Sequence, residues 1–229
     1  DKQNDIVYTN YRRYLQDAPN DKYILPITDK IIGNKGHNFI VAKLIGVHFS
    51  PQDRYPASWD IKKPSLLGKN LAPSKSNATA ALNSYDNAMA YNTSIIASMM
   101  RQIKNSPEPG LFFFISDHGF CLFEGAGFNS GNCAKGFHIP FIIYANDAYL
   151  ANKEHKRMFN KLKNFKDVSL TQRYLFETIA SLSDISYPIS NSSMDITKIE
   201  PSNIQKEERV VRYLNGTFHQ YAQAIALES

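Results

Sequence analysis

Two apolar runs in the chain are each followed closely by side chains that can bind a metal. Leu111–Ile115 leads, after one serine, into Asp117 and His118, and Phe39–Val47 leads directly into His48. Carboxylate and imidazole groups are usual protein ligands of zinc and manganese. The glycine after the Asp-His pair permits a tight turn, which lets neighbouring side chains converge on one ion. These three side chains are therefore the candidate metal ligands.

Each candidate also has a simpler interpretation when it is taken alone. Asp117 can cap the turn that follows its strand, and His118 can be a hydrogen-bonded surface histidine. For His48, a hydrogen-bonded loop position is the favoured interpretation. Ligands of open α/β sheets bind beyond the carboxyl ends of the strands. Because the Asp-His pair follows a strand, the metal interpretation is as well supported as the simpler one.

The elements that would position these residues follow the order strand, helix, strand, loop, strand, which is typical of an open α/β sheet. Phe39–Val47, Leu111–Ile115 and Ile139–Tyr144 are apolar runs, which predict strands buried on both faces of a mostly parallel sheet. Asn83–Ile103 carries apolar residues at helical spacing. A single domain over residues 1–229 is the expected organisation.

Other stretches complete the predicted outline. Helical spacing predicts three further helices, Tyr23–Ile32, Leu170–Leu182 with Ser169 as its cap, and Lys206–Ala226. The segment Pro51–Ser76 is rich in proline and polar residues, which predicts an irregular surface stretch.

The composition of the chain indicates which classes of molecule it can bind. The net charge of +5 favours anionic partners such as phospholipid headgroups, lipopolysaccharide or nucleic acid. Lysine and arginine are spread along the chain, with no basic run interleaved with aromatic residues, so nucleic acid is not expected. The longest apolar runs are far shorter than the roughly 20 residues that cross a bilayer. The first residues lack an initiator Met and the order of a signal peptide, so the native protein is expected to extend upstream.

The two cysteines leave two interpretations open. Cys121 and Cys133 are twelve positions apart and match no metal-binding pair. They can close a small disulfide loop, or they can be two unpaired thiols in a reducing compartment. Only the redox state of the compartment decides between these alternatives.

Four segments carry motifs in a fixed order along the chain. Leu44–Pro56 contains G-V-H followed by R-Y-P, Tyr85–Tyr91 begins Y-D-N, Phe113–Gly119 ends in S-D-H-G, and His138–Ile142 contains I-P-F. Together they resemble the motifs of the phosphoethanolamine transferases that modify lipid A or the lipopolysaccharide core, within the sulfatase and alkaline-phosphatase superfamily. The R-Y-P segment in particular separates these transferases from ordinary sulfatases.

The resemblance implies a fold and a metal site. The fold would be a three-layer α/β/α arrangement with a mostly parallel sheet, alkaline-phosphatase/sulfatase-like, lacking the N-terminal half. Asp117 and His118 would be ligands of a catalytic zinc ion, and His48 would line a second metal or the substrate phosphate. One or two zinc ions are implied, and manganese is the less expected metal.

The resemblance also implies an activity for the complete protein. Phosphoethanolamine would pass from phosphatidylethanolamine to lipid A or the lipopolysaccharide core by a metal-dependent covalent mechanism. The location would be the periplasmic face of the bacterial inner membrane, reached through membrane spans in an absent N-terminal region. The nucleophilic threonine is expected upstream of Asp1, so no catalytic residue is assigned in this chain and this part alone is expected to be inactive. The alternatives are another phosphoester or sulfate hydrolase of the superfamily, and an inactive fragment or pseudoenzyme.

Roles for other positions follow from the same resemblance. Asp86 and Asn87 are expected to be structural, at the start of the helix behind the sheet, and His138 is expected to pack. A periplasmic location favours oxidation, so it implies a bridge between Cys121 and Cys133.

The chain departs from the family pattern next to the S-D-H-G motif. Phe120 stands where the family usually has Glu. Most members carry another histidine about a dozen residues after the Asp-His pair, and here Ser130 or Asn132 takes that place. Neither is a good zinc ligand, which weakens the expected second metal site.

Overall fold

A computed structural model describes residues 20–34, 36–123, 133–204, 210–212 and 217–221. The chain divides into two compact units near Gln102. The described residues up to Gln102 belong to the first unit, and those from Ile103 onward belong to the second. The single domain expected from the sequence stays a prediction, since one domain can contain two compact halves. No helix among the described residues is both long enough and apolar enough to cross a membrane.

The described residues of the first unit include one α-helix and most of a second, and the sequence predicts both. Helix α1 spans Ile24–Ile32 and helix α2 spans Ala78–Asn105. Gln102 joins them, because its Nε2 donates a hydrogen bond of 2.8 Å to the carbonyl oxygen of Leu25. The segment Pro51–Ser76 is irregular, as predicted, with short 3-10 turns at Pro51–Asp53, Ala57–Trp59 and Lys75–Asn77. It is not wholly at the surface, because Tyr55 and Leu66 are buried. Helix α2 buries one face, which includes Ala81, Ala88, Tyr91, Ile95, Ile96 and Met99.

The predicted strand Phe39–Val47 is a wrong prediction for the described structure. No strand is assigned to these residues. Phe39 and Val41 are 76% and 79% exposed, so the apolar run is not buried on both faces. Its end is tied instead to Asp21, whose carboxylate accepts hydrogen bonds from the backbone N–H groups of Ile45 at 3.1 Å and Gly46 at 2.8 Å. An extended apolar run becomes a strand only where a neighbouring strand pairs with it.

The second unit contains the two strands that the sequence predicts near the candidate ligands. Strand β1 spans Leu111–Ile115 and strand β2 spans Phe141–Ala145. They pair antiparallel, with Leu111 opposite Ala145 and Ile115 opposite Phe141. The expectation of parallel neighbours is therefore corrected for this pair, although an α/β fold class is confirmed.

The antiparallel pairing has a local cause at Asn146. This side chain is 1% exposed and follows β2 directly. Its Oδ1 accepts a 2.9 Å hydrogen bond from the N–H of Gly110, and its Nδ2 donates to the carbonyl oxygens of Ile103 at 3.0 Å and Glu108 at 2.8 Å. The start of β1 is thereby fixed beside the end of β2, which only an antiparallel pair allows.

Three helices follow in the described part of the second unit. Helices α3, α4 and α5 span Asp147–Leu150, Lys153–Leu162 and Leu175–Leu182. Helix α5 begins later than predicted and Ser169 does not cap it, because the 3-10 turn Gln172–Tyr174 comes first. Phe165, Tyr174, Ile196 and Ile204 form a buried cluster beside these helices.

The predicted helix over Lys206–Ala226 is also wrong where the structure describes this part of the chain. Val210–Arg212 forms strand β3 and Phe218–Gln220 forms strand β4, and the two pair antiparallel. Two consecutive valines, Val210 and Val211, favour a strand.

Candidate metal site

The turn after β1 presents Asp117 and His118 at the surface. Their side chains are 65% and 42% exposed. Asp117 Oδ1 accepts a 3.1 Å hydrogen bond from the backbone N–H of His118, and Ser116 Oγ donates a 2.7 Å hydrogen bond to the carbonyl oxygen of His118. The bond of Asp117 is to its immediate neighbour, so it supports the turn locally without capping it. A carboxylate offers about four lone-pair sites, so a hydrogen bond of this kind and a bond to a metal are chemically compatible.

The imidazole of His118 is held in one tautomer. Its Nδ1 lies 2.8 Å from the carbonyl oxygen of Gly119. A carbonyl only accepts, so Nδ1 carries the proton and the neutral ring has its lone pair on Nε2. A hydrogen bond from one ring nitrogen to a carbonyl is how metal-bound histidines are commonly oriented. This geometry suits Nε2 of His118 to a metal.

The two side chains lie close to each other at the surface. Nε2 of His118 lies 4.0 Å from Oδ1 of Asp117. Two zinc ligands, each about 2.0 Å from the ion in tetrahedral geometry, are about 3.3 Å apart. The measured separation is longer than this, so the two side chains would have to move closer to share one ion.

Gly119 allows the turn to approach a second segment of backbone. Its N–H donates a 2.7 Å hydrogen bond to the carbonyl oxygen of Gly136. A Cβ atom at this position would lie 2.7 Å from the carbonyl oxygen of Lys135 and 2.9 Å from that of His138. Any side chain would therefore force these two segments apart.

Two further contacts stabilise the turn that carries Asp117 and His118. Cys121 and Cys133 are disulfide-bonded and fully buried, so the predicted bridge is confirmed. Nε2 of Gln172 donates to the carbonyl oxygen of Ser116 at 3.2 Å and lies 3.5 Å from that of Asp117. Ser130 and Asn132, which replace the family's further histidine, lie outside the described residues.

His138 is placed differently from the prediction. Its side chain is exposed, so the expected packing role is wrong. Because β1 and β2 are antiparallel, the residues that enter β2 lie beside those that leave β1, and His138 shares the end of the sheet that carries Asp117 and His118. A parallel arrangement would have put it at the opposite end, which is why the sequence alone missed this neighbour. Among the described residues no group of three or more His, Cys, Asp or Glu side chains is placed to hold a metal.

His48 lies in the first unit, in a loop that Arg54 organises. Its Nδ1 lies 2.9 Å from the carbonyl oxygen of Phe49, which leaves the lone pair on Nε2 by the same tautomer argument. Arg54 is 4% exposed and donates to the carbonyl oxygens of His48 at 2.9 Å and Phe49 at 3.1 Å. The arginine of the R-Y-P segment is thus a positioning residue for the histidine loop. The distance from His48 to Asp117 and His118 stays a prediction, because these residues belong to different units.

The Y-D-N segment supports the same part of the first unit. Asn87 is 2% exposed, and its side chain pairs with the backbone of Lys62 through hydrogen bonds of 2.9 Å and 3.1 Å. Asp86 forms an exposed ion pair with Lys62. Tyr55 is 2% exposed and its hydroxyl lies 3.3 Å from that of Ser84. The structural role predicted for Asn87 is confirmed, and Asp86 makes a contact at the surface. Both residues lie inside α2, which begins at Ala78, so the predicted position at the start of the helix is wrong.

Asp21, which is bound to the backbone near this loop, has a shifted pKa. Burial raises the pKa of its carboxyl group, although the N–H groups of Gly46 and Ile45 and the positive charge of Arg54 act in the opposite direction. The carboxylate therefore fixes the turn at Gly46, whose φ of +61° lies in the left-handed region that favours glycine.

Comparison with known proteins assigns this chain to a family. The family model described as Sulfatase matches residues 2–185. The Kdo(2)-lipid A phosphoethanolamine 7''-transferase of Salmonella typhimurium is 29% identical over 151 residues, which is 63% of this chain and 26% of that protein. The chain thus spans about a quarter of the length of this curated relative.

Solved structures show the same fold. The C-terminal periplasmic domain of phosphoethanolamine transferase EptC from Campylobacter jejuni matches with a TM-score of 0.65 and 25% identity, over 78% of this chain and 57% of that chain. The C-terminal periplasmic domain of EcEptC from Escherichia coli, in a complex with Zn, matches with a TM-score of 0.68 and 19% identity, over 94% of this chain and 60% of that chain. The sulfatase-like fold is therefore confirmed. Since the family model covers more than half of its residues, the chain belongs to the sulfatase family, and it resembles the C-terminal part of the phosphoethanolamine transferases within it.

Proposed function

We propose that this chain is the C-terminal part of a zinc-dependent transferase that moves phosphoethanolamine from phosphatidylethanolamine to lipid A or the lipopolysaccharide core. The observation that carries the proposal is the turn at Asp117 and His118, where a carboxylate and an oriented imidazole project together from the end of β1. The similarity to transferases of this type supports the same activity.

Asp117 and His118 would hold the zinc ion in this proposal. When bound, zinc lowers the pKa of a coordinated hydroxyl group and neutralises charge on phosphoryl oxygens. Imidazole suits zinc better than manganese, which makes zinc the favoured ion. The Nδ1–H group of His118 donates to the carbonyl oxygen of Gly119, which leaves the lone pair on Nε2. His48 would contact a second metal or the substrate phosphate, on the loop that Arg54 positions.

The nucleophile of the proposed reaction is a threonine outside this chain. Its hydroxyl oxygen attacks the phosphorus atom of the donor, the bond from phosphorus to the diacylglycerol oxygen breaks, and diacylglycerol leaves as the alcohol. A sugar phosphate or hydroxyl of the acceptor then attacks the same phosphorus and releases the threonine. This chain would supply charge and orientation to both steps, and alone it would be inactive.

The proposed location is the periplasmic face of the inner membrane, with membrane spans in a part of the protein outside this chain. The disulfide between Cys121 and Cys133 supports an oxidising compartment. The net charge of +5 would attract anionic lipid and lipopolysaccharide surfaces.

Mass spectrometry of lipid A and core from cells that express the complete gene tests the proposal. In a host that lacks its own transferases, we expect lipid A or core species that are heavier by one phosphoethanolamine group. Asp117→Asn and His118→Gln should each remove most of this product. Asp86→Asn is the matched control, because it makes the same change at an exposed residue with a structural contact. Unmodified lipid with the wild-type gene, or full modification by Asp117→Asn, would contradict the proposal.

The same preparation distinguishes a second candidate, a phosphoester or sulfate hydrolase. The match to a family model as broad as Sulfatase is the observation that favours it. Release of phosphate or sulfate from a simple aryl ester, without transfer to lipid A or core, would establish the hydrolase.

A further inference from the structure

A cavity of about 470 Å³ opens in the second unit between two 3-10 turns. The turns are Ser192–Met194 and Pro201–Asn203. The volume is within the range of small-ligand sites, roughly 300 to 1,000 Å³. None of the candidate metal ligands lines it.

The rim of the cavity offers hydrogen-bond donors. Oδ1 of Asn203 accepts a 2.8 Å hydrogen bond from the N–H of Glu200, which fixes the amide so that Nδ2 is the remaining donor. The exposed hydroxyl of Ser192 and the ammonium of Lys198 lie on the same rim. A ligand that meets three donors of this kind needs several acceptor atoms, and hydroxyl oxygens can supply them.

The floor of the cavity is apolar. Tyr174, Met194 and Ile199 line it; Tyr174 belongs to the buried cluster, and Met194 and Ile199 are partly buried and pack against that cluster. Tyr174 is only 5% exposed, so the floor is fixed by packing inside the protein. The ligand therefore needs an apolar face as well as oxygen atoms at its edge.

The charge of the cavity is close to neutral. Nζ of Lys198 lies 3.1 Å from Oδ2 of Asp195, whose side chain is 1% exposed. Asp195 also accepts hydrogen bonds from the backbone N–H and the hydroxyl of Thr197, at 2.9 Å and 2.7 Å. Because the carboxylate balances the ammonium, an anion gains little here, and a neutral ligand with many hydroxyl groups fits better.

The cavity shares a structural element with the candidate metal site. Tyr174 ends the 3-10 turn Gln172–Tyr174, and Gln172 donates to the carbonyl oxygen of Ser116 beside Asp117. Two residues of a 3-10 helix span about 4 Å along its axis. A molecule bound in the cavity is thus held by the same short element that supports the Asp117 turn.

We propose that this cavity binds a neutral sugar ring of the acceptor. The ring's C–H face lies on Tyr174, Met194 and Ile199, and its hydroxyl groups accept from Ser192, Lys198 and Asn203. The proposal rests on the proposed transferase function, because it makes the cavity the place where the glycan part of the acceptor is held.

Nuclear magnetic resonance titration of the ¹⁵N-labelled chain tests the proposal. The probe is N,N′-diacetylchitobiose, a neutral disaccharide of N-acetylglucosamine, and inorganic phosphate is the anionic comparison. We expect the sugar to shift the amide signals of residues 192–194, 198–199 and 203 with a Kd on the order of 1 mM. Phosphate should leave them unchanged at the same concentration. Sugar shifts elsewhere only, no sugar shifts, or shifts from phosphate instead of sugar would each overturn the proposal.

A matched pair of variants locates the binding. Asn203→Asp keeps the oxygen that accepts from Glu200 and removes the Nδ2 donor, so it should weaken sugar binding about fivefold, as expected for one hydrogen bond. Asn191→Asp adds the same charge at another capping asparagine, which accepts from the N–H of Ser193 and does not line the cavity. It should leave the affinity unchanged, and an equal loss in both variants would overturn the assignment.

The result is separate from the test of the transferase. Sugar binding needs neither zinc nor the nucleophile, so it is measured on this chain alone. If lipid modification occurs in cells but the sugar does not bind, the cavity proposal fails and the transferase stands. If the sugar binds but lipid A and core stay unmodified, the transferase proposal fails.

Discussion

Two regions of this protein have the same predicted pattern, an apolar strand that leads into a metal-competent side chain, and they fold differently. Leu111–Ile115 forms a strand that pairs with Phe141–Ala145. Phe39–Val47 forms no strand in the described structure and exposes two of its large side chains. The difference is that the first run has a partner, fixed beside it by Asn146.

Both regions nevertheless orient their histidine in the same way. His118 and His48 each place Nδ1 within hydrogen-bond distance of the next residue's carbonyl oxygen. The supports differ, since a close glycine contact and a disulfide hold the first turn, and a buried arginine holds the second. A histidine's orientation thus depends on local backbone contacts and does not require the preceding run to be a strand.

The largest expected effect comes from removal of the disulfide. A bridge that closes a loop of about a dozen residues stabilises by about 3 kcal/mol through the lost entropy of the unfolded chain. Replacement of Cys121 and Cys133 by serine should lower the free energy of unfolding of the second unit by about this amount, measured by urea denaturation. A reducing agent should reproduce the loss in the wild type and have no effect on the variant. An equal loss of structure around His48 would show that the two regions do not differ in their supports.

A smaller effect separates the two glycine turns. Gly119→Ala should cost about 2 kcal/mol, because its Cβ would meet the carbonyl oxygens of Lys135 and His138 at under 3 Å. Gly46→Ala should cost about 1 kcal/mol, since its φ of +61° is unfavourable for alanine but no atom lies closer than 3.7 Å to the added Cβ. If urea denaturation shows that both variants lose the same free energy of unfolding, the close backbone contacts of Gly119 do not make its turn more sensitive than the turn at Gly46.

The sequence predicted single elements better than their arrangement. Helix α2, strand β1 and strand β2 are local patterns, and each formed near its predicted position. The antiparallel pairing is stabilised by Asn146, which contacts residues 36 to 43 positions away. No repeating pattern in the sequence indicates contacts of this kind.

The candidate site shows the same limit. Asp117 and His118 lie together because they are adjacent in sequence, so their turn was predictable. His138 reaches the same end of the sheet only through the antiparallel register, which the residue pattern did not indicate. The role of Arg54 depends on its burial beneath the loop of His48, and the R-Y-P motif gave its presence but not its contacts.

Zinc binding by the chain compares the two histidines directly. Two protein ligands are fewer than the three that a catalytic zinc ion usually has, so the affinity of the chain alone should be weak and zinc should be lost on dialysis. In competition with a fluorescent chelator, Asp117→Asn and His118→Gln should each weaken binding by about tenfold or more. His48→Gln should weaken it less, because this residue is assigned to the second position.

His138→Gln is the control for an exposed histidine at the same end of the sheet. It should leave the zinc affinity unchanged. Zinc that stays bound in stoichiometric amount after extensive dialysis would show that a ligand is missing from the assignment. A larger loss from His138→Gln than from His118→Gln would identify that ligand.

The smallest expected effect is a difference between the two units in how their stability depends on pH. Burial raises the pKa of Asp21 in the first unit, so its contribution to stability is present below the unfolded-state value and is lost as the pH rises through the folded-state pKa. In the second unit burial also opposes ionisation of Asp195, but hydrogen bonds from Ser181, Thr197 and Lys198 more than offset it and hold its pKa below the usual value. Its contribution is present above the unfolded-state value and is lost as the pH falls.

Urea midpoints measured from about pH 3 to pH 7, a range that brackets ordinary carboxyl pKa values, check this opposition. Asp195→Asn should reduce the loss of stability on acidification, and Asp21→Asn should reduce the loss on approach to neutral pH, because each variant removes the titrating group. The two variants serve as controls for each other, since both exchange a buried carboxylate for an amide. If both change the pH profile in the same direction, the hydrogen bonds to Asp195 do not outweigh its burial, and the two units share one electrostatic behaviour.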